Sequence, residues 1–281
     1  MNAAQSLVLA AVLSAVRTVP SAGQASMNRL DTPHKIAAYV NDNPQDADLS
    51  LIWKTLGVET TGQAASRCGC RSDDCPGTCQ AAVFDVGRES PGSWRRILRI
   101  CYAGGADCRY FVFTRVREWR VAGLIESLDN QYRPPEHRVV SSERRHWLVI
   151  RQLSGRGTGF LNYSELWYDL MKPNMPIVLA YPVSGHSVQG VRSRDYEFTS
   201  TVSLNRDHPL SILVRYRVRQ LPQKAGSRSI DSGADKSFRV WYDWDGQGRF
   251  RLRGSRSVLP DESDAVYFLT EKARHTEGSV R

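Results

Sequence analysis

The sequence predicts a mainly β protein: three four-stranded antiparallel meanders, packed like propeller blades or as a sandwich, with short helices at both ends. Three observations carry this. From residue 81 onward, short apolar and aromatic runs alternate with Gly, Pro and Ser clusters, punctuation that breaks a helical period and suits strands joined by turns. The units start at residues 81, 138 and 196, separations of 57 and 58. Leu166-Trp167-Tyr168-Asp169-Leu170 matches Val240-Trp241-Tyr242-Asp243-Trp244 at a distance of 74, which becomes 58 once the 16-residue polar insertion 222–237 is removed.

Taken in order, residues 1–25 read as a secretory signal peptide. The apolar run 7–16 is too short to span a bilayer, and Gly23-Gln24-Ala25 puts small residues where a signal peptidase reads. Export to the periplasm, cell envelope or medium is the expectation, with no transmembrane segment. Residues 26–66 form a helical cap. Thr32-Pro33 supplies an N-cap and a first-turn proline, Asn41 to Pro44 end that helix, and a second runs over 48–56 to stop at Gly57.

The β-repeat domain covers 67–258 and opens with the Cys-rich loop 67–79. All six cysteines, Cys68, Cys70, Cys75, Cys79, Cys101 and Cys108, fall in one stretch, and an even number in an exported chain reads as disulfides. Cys101 and Cys108 flank a hairpin loop and are placed to face each other across two strands. The other four allow three connectivities. Zinc held by four thiolates is the alternative, against which stand the cramped gap from Cys70 to Cys75 and the oxidising compartment. No metal or other cofactor is expected.

The predicted strands are 81–86, 94–102, 109–115 and 120–127 in the first meander, then 138–141, 146–153, 160–170 and 177–183 in the second. The glycine-rich run 154–159 resembles a phosphate loop in composition, but a strand follows it where a helix N-terminus is needed, so it reads as a hairpin tip. Asp243 to Gly248 resembles the start of the calcium loops of integrin-type repeats, without the downstream carboxylate such a loop requires, and Asp245-Gly246 is itself a turn signal. None of the six histidines falls in a metal-protease pattern.

The third meander carries the most informative charges. Val214-Arg215-Tyr216-Arg217-Val218-Arg219 alternates, sending Arg215, Arg217 and Arg219 to one face and Val and Tyr to the other. Arg249, Arg251 and Arg253 repeat the pattern in the last strand. The chain has 38 Lys and Arg against 29 Asp and Glu, a net charge of +9, which favours anionic partners. These six arginines are the candidate anion-binding residues, for an anionic polysaccharide or other polyanion. Nucleic acid is disfavoured because the aromatics point to the opposite face. Residues 259–281 should form a C-terminal helix, 260–273, and a fraying tail. The expected function is binding or structural, with a secreted hydrolase using residues on the long loops, or a zinc-binding domain on the cysteine cluster, as alternatives.

Overall fold

The computed structural model describes residues 30–58, 78–90, 93–102, 107–127, 135–142, 145–157, 160–187, 196–207, 210–220 and 236–253. The expected signal peptide, the insertion 222–237 up to residue 235, the C-terminal helix and Cys68, Cys70 and Cys75 lie outside them. No helix among the described residues is long and apolar enough to cross a membrane.

Two short helices come first, bounded as their capping residues dictate. In α1 (Pro33–Asp42) the Thr32 side chain accepts from the Lys35 amide at 3.3 Å, and in α2 (Leu49–Thr55) Asp48 accepts from the Leu51 amide at 3.1 Å. Their apolar sides, including Ile36, Val40, Ile52 and Trp53, pack on Leu98, Ile100, Phe111 and Phe113 of the first sheet. Asn41 also exchanges two 2.9 Å hydrogen bonds with the backbone of Ala81, satisfying an edge-strand amide and carbonyl from the side.

The first sheet is the meander β1 (Gln80–Ser90), β2 (Ser93–Tyr102), β3 (Asp107–Arg115) and β4 (Trp119–Ser127). The second is a single eight-stranded meander: β5 (Glu136–Ser142), β6 (Arg145–Gly157), β7 (Phe160–Asp169), β8 (Ile177–Ser187), β9 (Tyr196–Asn205), β10 (Ser211–Gln220), β11 (Lys236–Trp244) and β12 (Phe250–Leu252). The antiparallel β class is as expected, but three separate four-stranded sheets are not what forms. The second and third meanders are joined because β8 and β9 pair over Ser184–Ser187 and Tyr196–Thr199. Gly185 permits this, since a Cβ there would run into Asn162 Oδ1 and lie 2.6 Å from Phe198 Cε1.

Packing nevertheless arranges the three meanders as successive layers. Ile97, Tyr110 and Val112 of the first pack on Leu148, Ile150, Leu166 and Tyr168 of the second. On the other side of the second meander, Trp147, Trp167 and Tyr181 pack on Val214, Tyr216, Tyr242 and Phe250 of the third. Within that layer Trp147 and Trp167 lie 5.8 and 6.0 Å from the Phe250 ring. The Trp-Tyr-Asp match keeps its meaning here. It falls on the third strand of each unit, β7 and β11, where Tyr168 and Tyr242 both face the preceding meander.

A polar clasp holds the third meander to the second. Lys172, in the turn after β7, donates to the Gln247 carbonyl at 3.0 Å in the β11–β12 hairpin. Gly248 adopts φ +120°, and a Cβ on it would collide with Lys172 Nζ.

Candidate functional site

The outer face of the third meander carries the arginines. In β10, Ile212, Val214, Tyr216 and Val218 are buried and Arg215, Arg217 and Arg219 are exposed, as the alternation predicts. Arg215 stands directly opposite Arg239 of β11, a lone arginine in its strand that no alternating run marks in the sequence. On its other side Arg215 donates to Ser203 Oγ at 3.0 Å, and Arg217 is opposite Thr199 in β9. Arg219 is opposite Glu197.

The second arginine triplet is placed differently. Arg253 forms a two-pronged ion pair with Asp243, at 2.6 and 2.5 Å, with its guanidinium 4.9 Å from the Trp241 ring. Arg251 pairs with Asp245 at 3.0 Å. The two triplets therefore share a face without forming six uncompensated charges. Arg215, Arg217, Arg219 and Arg239 make the dense part, and Arg251 and Arg253 are held by Asp245 and Asp243. Arg249 is exposed within the hairpin.

Asp245 also settles the use of the sequence that resembles a calcium loop. Its Oδ1 accepts from the backbone amides of Gln247, Gly248 and Arg249 at 2.8 to 3.0 Å, and its Oδ2 accepts from Arg251. Partial burial raises its pKa, but these donors outweigh that and bring it down to about 2. The carboxylate is spent on closing a turn.

The cysteine staple is present at the expected hairpin. Cys101 and Cys108 pair directly across β2 and β3 and are disulfide-bonded. Cys79 is also disulfide-bonded, so it does not supply a thiolate to a metal. Among the described residues no group of three or more His, Cys, Asp or Glu is placed to hold a metal ion.

A second constellation lies inside the fold and was not singled out from sequence. Glu136, Arg151, Glu165 and Tyr181 stand directly opposite one another across β5, β6, β7 and β8, a polar row on a face otherwise filled by Trp147 and Trp167. Glu165 is buried and accepts both prongs of Arg138 at 2.6 Å and the Tyr181 hydroxyl at 2.5 Å. Burial works to raise the Glu165 pKa, and the Arg138 and Tyr181 hydrogen bonds reverse it, holding the carboxyl below its ordinary range. Burial and the Glu165 charge push the Tyr181 hydroxyl well up, so the pair is a carboxylate and a neutral phenol. Arg151 donates to Ser184 Oγ at 2.7 Å and lies 3.4 Å from Glu136. The usable sequence signal was Glu165 two residues before Trp167, which places a charge on a face committed to the core.

Comparison with protein families, with curated proteins and with solved structures finds no match to this chain.

Proposed function

We propose that this is an exported, disulfide-stapled binding protein whose outer β9–β12 face docks an anionic polymer. The observation that carries the proposal is the opposition of Arg215 and Arg239 in adjacent strands, flanked along β10 by Arg217 and Arg219, all four exposed. Like charges directly opposite each other in a sheet are destabilising. Water and salt screen that repulsion, whereas a polyanion reverses it. Successive outward residues of a strand lie roughly 7 Å apart and neighbouring strands about 5 Å, so the four guanidiniums form a compact grid suited to repeated sulfate, phosphate or carboxylate groups.

The face offers little to stacked bases. Tyr216 and Phe238 point inward and stack on each other at 4.8 Å, and the outer-facing Trp241 is already covered by Arg253. A sulfated or carboxylated polysaccharide fits this chemistry better than nucleic acid.

Affinity chromatography on immobilised heparin tests the reading. The parent protein should be retained at low salt and elute as salt is raised, and replacing Arg215, Arg217 and Arg219 together by Ser should lower the eluting salt without unfolding the protein. A parent that is not retained, or a triple mutant retained as strongly as the parent, overturns it.

A further inference from the structure

The polar row opens on a cavity of about 410 Å³ at the crease where the eight-stranded sheet divides into two layers. Its origin is geometric. Ser184 and Thr199 are the last paired residues between β8 and β9. Beyond them β8 stays with the second meander and β9 goes with the third, leaving a wedge that side chains do not fill. Arg138, Arg151, Glu165, Ser184, Ser200 and Val202 line it.

We infer that this crease is a binding site for a small anion, a carboxylate or phosphate head on a short apolar body. Two guanidiniums line the wedge against one buried carboxylate, a surplus of one positive charge. Glu136 offsets that surplus only in part, because its side chain is 75% exposed and water screens its 3.4 Å pair with Arg151 at the rim. Both arginines are oriented by the protein: Arg138 by the two oxygens of Glu165, Arg151 by Ser184. A guanidinium has five N–H donors. Two are used by Arg138 on Glu165 and two by Arg151 on Ser184 and Glu136, which leaves each with donors to spare and already held in place. Pre-orientation of this kind lowers the entropy lost on binding. Val183 and Val202 give the apolar contact, and the volume lies within the range of small-molecule sites.

This site is distinct from the outer arginine face, and the experiment separates them. The full-length protein is titrated calorimetrically at low ionic strength with inorganic phosphate in one arm and butyrate in the other. Saturable binding of at least one probe, at one site per chain, is expected, and the arm that saturates identifies the head group. Arg151→Gln should weaken it at least tenfold, and Val202→Phe, which fills the wedge, should do the same. Circular dichroism checks that both variants remain folded. The Arg215, Arg217, Arg219 triple Ser variant should bind the probe as the parent does. Absence of saturable binding in both arms, or binding left unchanged by both Arg151→Gln and Val202→Phe, overturns the inference. Loss of binding in the triple variant moves the probe to the outer face and also overturns it.

Discussion

The two outer faces of the layered stack are finished in different ways. The first meander turns Leu98, Ile100, Phe111 and Phe113 outward and buries them under α1 and α2. The third turns Arg215, Arg217 and Arg239 outward and, among the described residues, has charge where the first has a helical lid. A stacked unit exposes an apolar face unless something ends the stack, either a covering element or polar side chains. This chain uses one solution at each end. The capped end buries apolar side chains, and the other end leaves charge exposed.

Two tryptophans break or confirm that contrast most directly. Trp53 of α2 is fully buried, stacked on Phe111 at 5.5 Å with the Arg109 guanidinium 4.7 Å from its ring. Trp53→Ala should cost about 3–5 kcal/mol, the range for large buried aromatics. Trp241 occupies the open face under Arg253, and Trp241→Ala should cost only about 1 kcal/mol, the scale of an exposed cation–π contact. Urea unfolding midpoints at unchanged slope make the comparison. Equal losses would mean that the two ends do not differ in energetic role.

The sequence exposed this asymmetry where one face of a strand is wet and concealed it where both are dry. From Val214 onward β10 alternates because only its inner face is covered there, so its arginines were legible. Leu148, Val149 and Ile150 of β6 form a continuous apolar run because that strand lies between two layers. Such a run locates a strand but does not say which residue faces which neighbour, and the Glu165 row therefore went unnoticed. The joining of the second and third meanders was illegible for another reason. It depends on four residue pairs at the ends of β8 and β9 and on the space freed by Gly185, a long-range event without a periodic signature. Helix caps and the Cys101–Cys108 staple were legible because their determinants lie within a few residues of each other.

The Lys172 clasp bears on how the third meander is held to the second. If the third meander is held by packing and by Lys172 on the β11–β12 hairpin, Gly248→Ala should destabilise the protein by about 1–2 kcal/mol. The alanine has to hold a positive φ and displace Lys172. Thermal unfolding should show the loss, and limited proteolysis should cut the 245–249 hairpin faster than in the parent. Lys172→Ala should cost less than Gly248→Ala, because it removes one exposed hydrogen bond and leaves the backbone unstrained. The reverse order would place the strain elsewhere.

Acid should separate the interior of the stack from its open end, with the smallest effect of the three. His137 lies between the first and second meanders, 4.3 Å from the Phe84 ring and 5.7 Å from Tyr110, with Arg99 Nη1 at 3.4 Å. Burial first, and then the Arg99 charge, push its pKa below 6.5, against an opposing backbone contact with Pro135. The unfolded chain then binds the proton more readily than the folded one, so stability is fully present above pH 6.5 and falls as pH drops through that value, until the folded imidazole also protonates. Asp245, at the open end, follows a lower window. Its pKa is brought from 3.8 to about 2, so its contribution is complete above 3.8 and lost only as pH falls through about 2. Urea midpoints measured between pH 7.5 and 5 should decline in the parent and decline less in His137→Gln. Asp245→Asn should leave the slope in that range unchanged and alter it only below pH 4. Parallel slopes in the parent and His137→Gln would show that acid does not enter the stack at the first interface.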